Sequence, residues 1–185
     1  KANRILRNTN RQKWYKNVTH IVQKTINSEE QIDTKKKLQS FLGLVNQVKE
    51  YISNLAENLR PLHKKFKKDV EYHFDNKDQE QTRKIKSLCK KLPKLCFSDE
   101  NKKFTYIVES DAIAMSYGGV LKYRYNKEKV EHHCKYYSRT FTNLEIKWKI
   151  NRKELYSIYK CLLDFEPYIV YNKFIVRIDN TKVKW

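Results

Sequence analysis

The stretch Tyr106–Tyr123, YIVESDAIAMSYGGVLKY, decides how the chain is read. An apolar run reaches a carboxylate, Asp111, and then restarts beside Gly118 and Gly119, two of the protein's three glycines. A plain hairpin would place Asn-Gly or Asp-Gly in its turn and keep an acid off the strand's end. Working outward, Phe104–Ser110 and Met115–Tyr123 are predicted as strands, and Val130–Tyr137 as a third after the polar turn YNKEK. NRKELYSIYKCLLDF then carries a helical stripe of Leu155, Ile158, Tyr159 and Leu162. KFIVRIDN is a short apolar run that again ends in an acid, Asp179. The predicted order is β-β-β-α-β.

Upstream the period changes to that of a helix. From Thr34, the residues Leu38, Phe41, Leu42, Val45, Val48 and Ile52 recur at spacings of three and four, with Lys35, Lys36, Lys37 and Lys49 outward. A second helix is predicted over Leu55–Lys67, broken or entered at Pro61, and a third over Gln79–Leu92, with Ile85, Leu88 and Leu92 on one side and Pro93 as its stop. Residues 1–25 read as an irregular basic lead-in. The chain therefore divides into a helical part, residues 1–97, and an α/β part, residues 98–185.

Lys and Arg number 40 against 21 Asp and Glu, a net charge of +19, and there are 13 tyrosines. A chain so basic and aromatic points to a polyanionic partner, nucleic acid first. Lys64, Lys65, Lys67, Lys68, Lys84, Lys86, Lys90 and Lys91 form helical faces that either follow a phosphate backbone or are simply solvated. No apolar run approaches the ~20 residues a bilayer requires, and the start does not read as a signal peptide, so no membrane association is expected. Four cysteines without CxxC spacing suggest reduced thiols in the cytoplasm, where the sequon Asn17-Val18-Thr19 has no meaning. In the triplet His132-His133-Cys134, alternation sends the middle residue to the opposite face, and a zinc site is not expected.

Three acids stand out. If the helix is a crossover between parallel strands, Asp111 and Asp179 lie at the same edge of one sheet. Glu154, in the first helical turn and four residues before Ile158, faces the sheet. Three carboxylates at one focus repel unless they share divalent cations. Hard oxygen ligands suit Mg²⁺, with Mn²⁺ as a substitute, and a pair of such ions ~4 Å apart activates water for attack at phosphorus. Gly118 and Gly119 would then let a nucleic-acid backbone come close. Each acid also has a structural reading: Asp111 as a turn cap, Asn151-x-x-Glu154 as a capping box, Asp179-Asn180 as a turn pair. Their joint placement favours the metal reading.

The motifs resemble a known family. ESDAIAMSYGGVL resembles the TDAS…GGVL motif that opens the ribonuclease H domain of retroelement reverse transcriptases. KYYSRTFTNLEIKWKINRKELYSIYKCL resembles the YASRxLxxxExxYxxxxxELLAIxxxL segment that follows, and FIVRIDNTKVKW resembles FxxRTDNxxxK. Upstream, KKKLQSFLGLVNQVKEYISNLAENLRPLHKKF is similar to the thumb and connecting segment of the same polyproteins. The likeness runs from His20 to Trp185. The paired glycines, and Asn rather than His after Asp179, resemble plant pararetroviruses of caulimovirus type, with gypsy-type retrotransposons next.

The resemblance implies a ribonuclease H-like mixed sheet behind a small helical thumb or connection segment. It implies Mg²⁺-dependent cleavage of RNA in an RNA–DNA hybrid, with the polymerase domain of the same polyprotein as a partner, in the cytoplasm or in a viral or retroelement particle. It assigns Asp111, Glu154 and Asp179 as three of four metal-binding carboxylates. Departures are Ile113 for Ser, Ser110 for Thr and Trp148 for Tyr. Six residues follow Asp179, so the fourth carboxylate is not among them, and the chain alone is expected to be weakly active or inactive. A non-catalytic nucleic-acid-binding remnant and a structural connection domain are the alternatives.

Overall fold

The computed structural model describes residues 17–66, 71–96, 98, 99, 101–126 and 128–178. In chain order these form α1 (17–26), α2 (Lys35–Gln47), α3 (Leu55–Lys64), α4 (Asn76–Lys90), β1 (Phe104–Ala112), β2 (Ser116–Tyr125), β3 (His132–Thr140), α5 (Ile150–Ile169) and β4 (Phe174–Arg177). The fold class is the expected one: helices, then a mixed four-stranded sheet crossed by a helix.

Two compact units divide the chain, one comprising Lys1–Val48 with Pro61–Leu92 and the other Lys49–Arg60 with Pro93–Trp185. The division falls inside α3, so the second unit takes in Lys49–Arg60, a segment that the change of period near residue 98 does not reveal.

In the first unit the apolar stripe of α2 is buried as expected, with Leu38 and Val45 fully so. Thr34 caps the helix, accepting from the Lys37 amide at 3.2 Å. The expected irregular lead-in is replaced, over 17–26, by α1, where buried Thr25 donates its hydroxyl to the Ile21 carbonyl at 2.8 Å. Helix α4 starts three residues before the predicted Gln79, because Asp75 and Asp78 form a reciprocal capping box. Two lysines counted as outward face the protein instead. Lys86 is buried and donates to the Ser28 carbonyl, and Lys65 pairs with buried Asp78 at 2.6 Å. Their charges are consumed internally, since a buried carboxylate or carbonyl demands a partner. Lys67 and Lys68 lie outside the described residues.

In the second unit the strand order is β3-β2-β1-β4, with β1 antiparallel to β2 and parallel to β4. Alternation along β1 turns Tyr106 and Val108 toward α5, where Leu121, Tyr123, Cys134, Cys161, Phe165 and Ile169 complete the core. The helix presents Lys153, Ser157, Cys161, Phe165 and Ile169 to the protein; of the predicted stripe, Ile158 and Leu162 are half-buried, Leu162 against this core, while Leu155 and Tyr159 are 40% and 55% exposed. The outer face of α5 is apolar too, with Leu155, Tyr159 and Leu163 exposed, so periodicity alone set the stripe partly off the buried side.

Burial holds the thiols of Cys89, Cys134 and Cys161 protonated, pushed up to about 11, about 12 and about 12. The residues His132 and Cys134 share a face as alternation predicts. His132 stacks on Tyr123 with 5.0 Å between ring centroids, while His133 stacks on Tyr136. Among the described residues no helix is long and apolar enough to cross a membrane.

Candidate active site at the end of β1

Asp111 is the penultimate residue of β1 and pairs with Gly118 of β2. It is exposed, and its Oδ1 accepts from the Ala112 amide at 2.8 Å, which orients the carboxylate at the strand's end. The β1 strand runs two residues past its predicted end, so the acid belongs to the sheet and not to the turn that would have made it a cap.

Three bonds fasten α5 to this end of the sheet. The Ser157 hydroxyl lies 2.9 Å from the Asp111 carbonyl and 3.2 Å from the Gly118 carbonyl. One turn earlier, Lys153 donates to the Ala114 carbonyl at 2.8 Å. Among the described residues the β1–β4 ladder stops at Glu109, and a buried serine and a buried lysine supply donors to the Asp111 and Ala114 carbonyls beyond it. Sequence reading passed over both residues because it sought apolar side chains on the inner face.

Glu154 stands beside Lys153, half-buried on the flank of that inner stripe. The capping-box explanation for it does not hold: the helix begins at Ile150, and Lys149 caps it without a side-chain bond. The reciprocal pair is instead Thr142 and Glu145, one bond of which spans 2.7 Å, at the preceding turn. Trp148 keeps the aromatic role expected of a tyrosine there, packing edge-on to Tyr156 and lying 4.1 Å from the Arg152 guanidinium.

Asp179 lies outside the described residues. The strand that leads to it is described, and Glu109 of β1 faces Arg177 of β4 in the parallel register. The structure therefore brings the elements carrying Asp111 and Glu154 together at one end of the sheet. Among the described residues no group of three His, Cys, Asp or Glu side chains is gathered to hold a metal ion.

On the face opposite α5, Glu109 and Asp111 open into a groove of about 340 Å³, lined also by Asn54, Gly118, Tyr136 and Arg177. Its charges are ordered. Lys122 contacts Glu109 at 2.5 Å and Glu131 at 3.5 Å. Arg177 bonds Glu109 and also Glu131, the latter at 2.7 Å. Its hydrogen bond holds the Glu131 carboxyl below the usual carboxylate range.

The paired glycines answer to the protein's own packing. A Cβ on Gly118 would strike the Tyr137 carbonyl, and one on Gly119 would strike the Glu109 carbonyl and approach Cys161 Sγ to 2.7 Å. Packing against adjacent strands and α5 thus accounts for both glycines by itself, while Gly118 also lines the groove beside Asp111.

Residues 74–176 match the model of the RNase H-like domain found in reverse transcriptase. The chain belongs to this family. Relatives of caulimovirus type fit the same placement. It is 36% identical over 167 residues to a putative enzymatic polyprotein of Cassava vein mosaic virus, covering 89% of this chain and 26% of that protein. With the enzymatic polyprotein of Carnation etched ring virus it shares 33% over 161 residues, covering 87% and 24%. The chain thus spans about a quarter of the curated relatives' length. Its fold is similar to that of the foamy viral protease-reverse transcriptase solved in complex with RNA/DNA hybrid, with a TM-score of 0.70 and 21% identity over 87% of this chain and 21% of that one. In this RNase H-like chain, the β1–β2 ladder, the Ala112 amide and the seating of α5 are what fix Asp111.

Proposed function

We propose that this RNase H-like chain is the hybrid-cleaving part of a reverse transcriptase polyprotein, hydrolysing RNA phosphodiester bonds in an RNA–DNA duplex. The observation that carries the reading is the fastening of α5 to the end of β1 through Ser157 and Lys153. It sets the elements bearing Asp111 and Glu154 side by side while leaving Asp111 open to solvent. Asp179 follows two residues after Arg177, the register partner of Glu109, which itself lies two residues before Asp111.

The donor chemistry fits a hard divalent cation. Asp111 is an exposed carboxylate with no ion-pair partner among the described residues, whereas nearby Glu109 is held by Lys122 and Arg177. Asp111, Glu154 and Asp179 would hold Mg²⁺, or Mn²⁺ in its place. The metal would supply a polarised water and stabilisation of negative charge at phosphorus. The chain's own part is to orient the Asp111 carboxylate through the Ala112 amide and to keep α5 seated through Ser157 and Lys153. Its excess of positive charge attracts the duplex backbone. The foamy viral neighbour was solved with an RNA/DNA hybrid, which supports the choice of duplex. The polymerase domain of the same polyprotein is the partner proposed, within the cytoplasm or a particle.

The test is Mg²⁺-dependent cleavage of labelled RNA in a hybrid by the polyprotein that carries this chain. Asp111→Asn should remove cleavage while leaving salt-sensitive hybrid binding in place. Undiminished cleavage by Asp111→Asn would sink the reading. Binding without cleavage by the unaltered protein would favour a non-catalytic remnant.

A further inference from the structure

Strand β4 has only four described residues, and it is weakly seated. Phe174 and Ile175 are 40% and 41% exposed, so side-chain burial contributes little to holding it. Its ties are the ladder to β1, the bond from the Tyr106 amide to the Lys173 carbonyl at 3.0 Å, and the side chain of Arg177. That side chain is a two-sided grip. One guanidinium nitrogen reaches Glu109 on β1, the register partner of Arg177, and the other reaches Glu131, just ahead of β3. Lys122 on β2 joins the same two carboxylates. Four side chains thus link the end of β4 to both β1 and the β2–β3 connection across the face away from α5.

We propose that Arg177 is a positioning residue for the candidate site: through Glu109 and Glu131 it holds the end of β4 in register with the end of β1. The proposal rests on the hydrolase reading above for its functional consequence. Its place in the sequence gives it leverage, because Arg177 lies two residues before Asp179, and its partner Glu109 lies two residues before Asp111. A slip or fraying of β4 would change the spacing of whatever follows Arg177 relative to Asp111. Mg²⁺ is intolerant of such change because it requires near-octahedral order. The planar fork of arginine suits the task, since its separate nitrogens engage Glu109 and Glu131 in a fixed geometry that a flexible ammonium does not impose.

The experiment compares Arg177→Met and Arg177→Lys with the unaltered polyprotein that carries this chain. Amide hydrogen exchange at Ile175 and Val176 reads the seating of β4. Calorimetry reads the Mg²⁺ affinity that Asp111→Asn removes, and hybrid cleavage is followed alongside. In Arg177→Met we expect faster exchange in β4 with β2 and β3 unchanged, weaker Mg²⁺ binding, and turnover reduced on the order of 10²-fold, the scale of a 1 Å misplacement. Hybrid affinity should stay constant, and Arg177→Lys should fall between. Faster exchange with normal Mg²⁺ binding overturns the positioning role, and so does altered Mg²⁺ binding with β4 exchange unchanged. If Asp111→Asn still cleaves hybrid, the hydrolase reading fails alone, because exchange and Mg²⁺ binding still judge Arg177. If the unaltered protein has no Asp111-dependent Mg²⁺ binding, both fail.

Discussion

The two faces of the sheet are held by different physics. Toward α5, Tyr106, Val108, Leu121 and Phe165 exclude water; polar groups enter where Ser157 and Lys153 meet backbone carbonyls and where Lys135 pairs with Asp164 at 2.9 Å. On the other face, Glu109, Lys122, Glu131 and Arg177 are joined by ion pairs beside an open groove. Burial of apolar area is worth far more than partly exposed ion pairs, so stability should reside on the first face and fine placement on the second. The candidate site lies at the end of β1, where both meet.

The largest expected effect is on the helix-facing side. Phe165→Ala removes a fully buried ring and should cost roughly 3–5 kcal/mol, measured by denaturant unfolding. A loss under about 1 kcal/mol would mean that α5 is not the main source of stability, and the contrast between faces would break. Next comes Gly119→Ala, which forces a methyl into the Glu109 carbonyl and Cys161 and should cost roughly 1–3 kcal/mol through overpacking. Ser157→Ala is smaller, about 1 kcal/mol, for the loss of a hydroxyl that serves two carbonyls. In a thermal melt it should rank below both, and its effect should add to that of Glu131→Gln.

Glu131→Gln should be the smallest in stability, under about 1 kcal/mol, since Arg177 is partly exposed. Its signature is pH dependence. The bond to Arg177 lowers the Glu131 carboxyl below its ordinary value of 4.5, so the contribution is complete above that value and is lost as pH falls through the lowered one. The unaltered protein should therefore lose β4 protection in acid below about 4.5, and the variant should have less of this dependence. Identical acid profiles would mean that the open face is not organised by charge.

Much of this was legible in the residues themselves. The change from period 3.6 to period 2 located both kinds of structure, and the spacing of α2 named its buried residues correctly. What escaped detection depended on groups far apart in sequence. The inner face of α5 is chosen by carbonyls at the end of β1, so a serine and a lysine face inward where an apolar stripe was expected. Gly118 and Gly119 owe their identity to Tyr137, Glu109 and Cys161, none adjacent in the chain. Asp111 could be singled out because a strand ending in an acid is locally odd. Arg177 lies in the motif FIVRIDN, yet only the fold reveals that its partners are 68 and 46 residues away.

The buried thiols have a practical use as chemical clocks. Cys89 sits in one compact unit, and Cys134 and Cys161 in the other. Each is protonated at neutral pH, so an alkylating reagent must wait for the surrounding structure to open and the thiolate to form. The rate at which each sulfur is capped, set against the more exposed Cys96, times the local openings of its own surroundings. Mass spectrometry of the native sequence can thus time the breathing of the two units separately, with no engineered label.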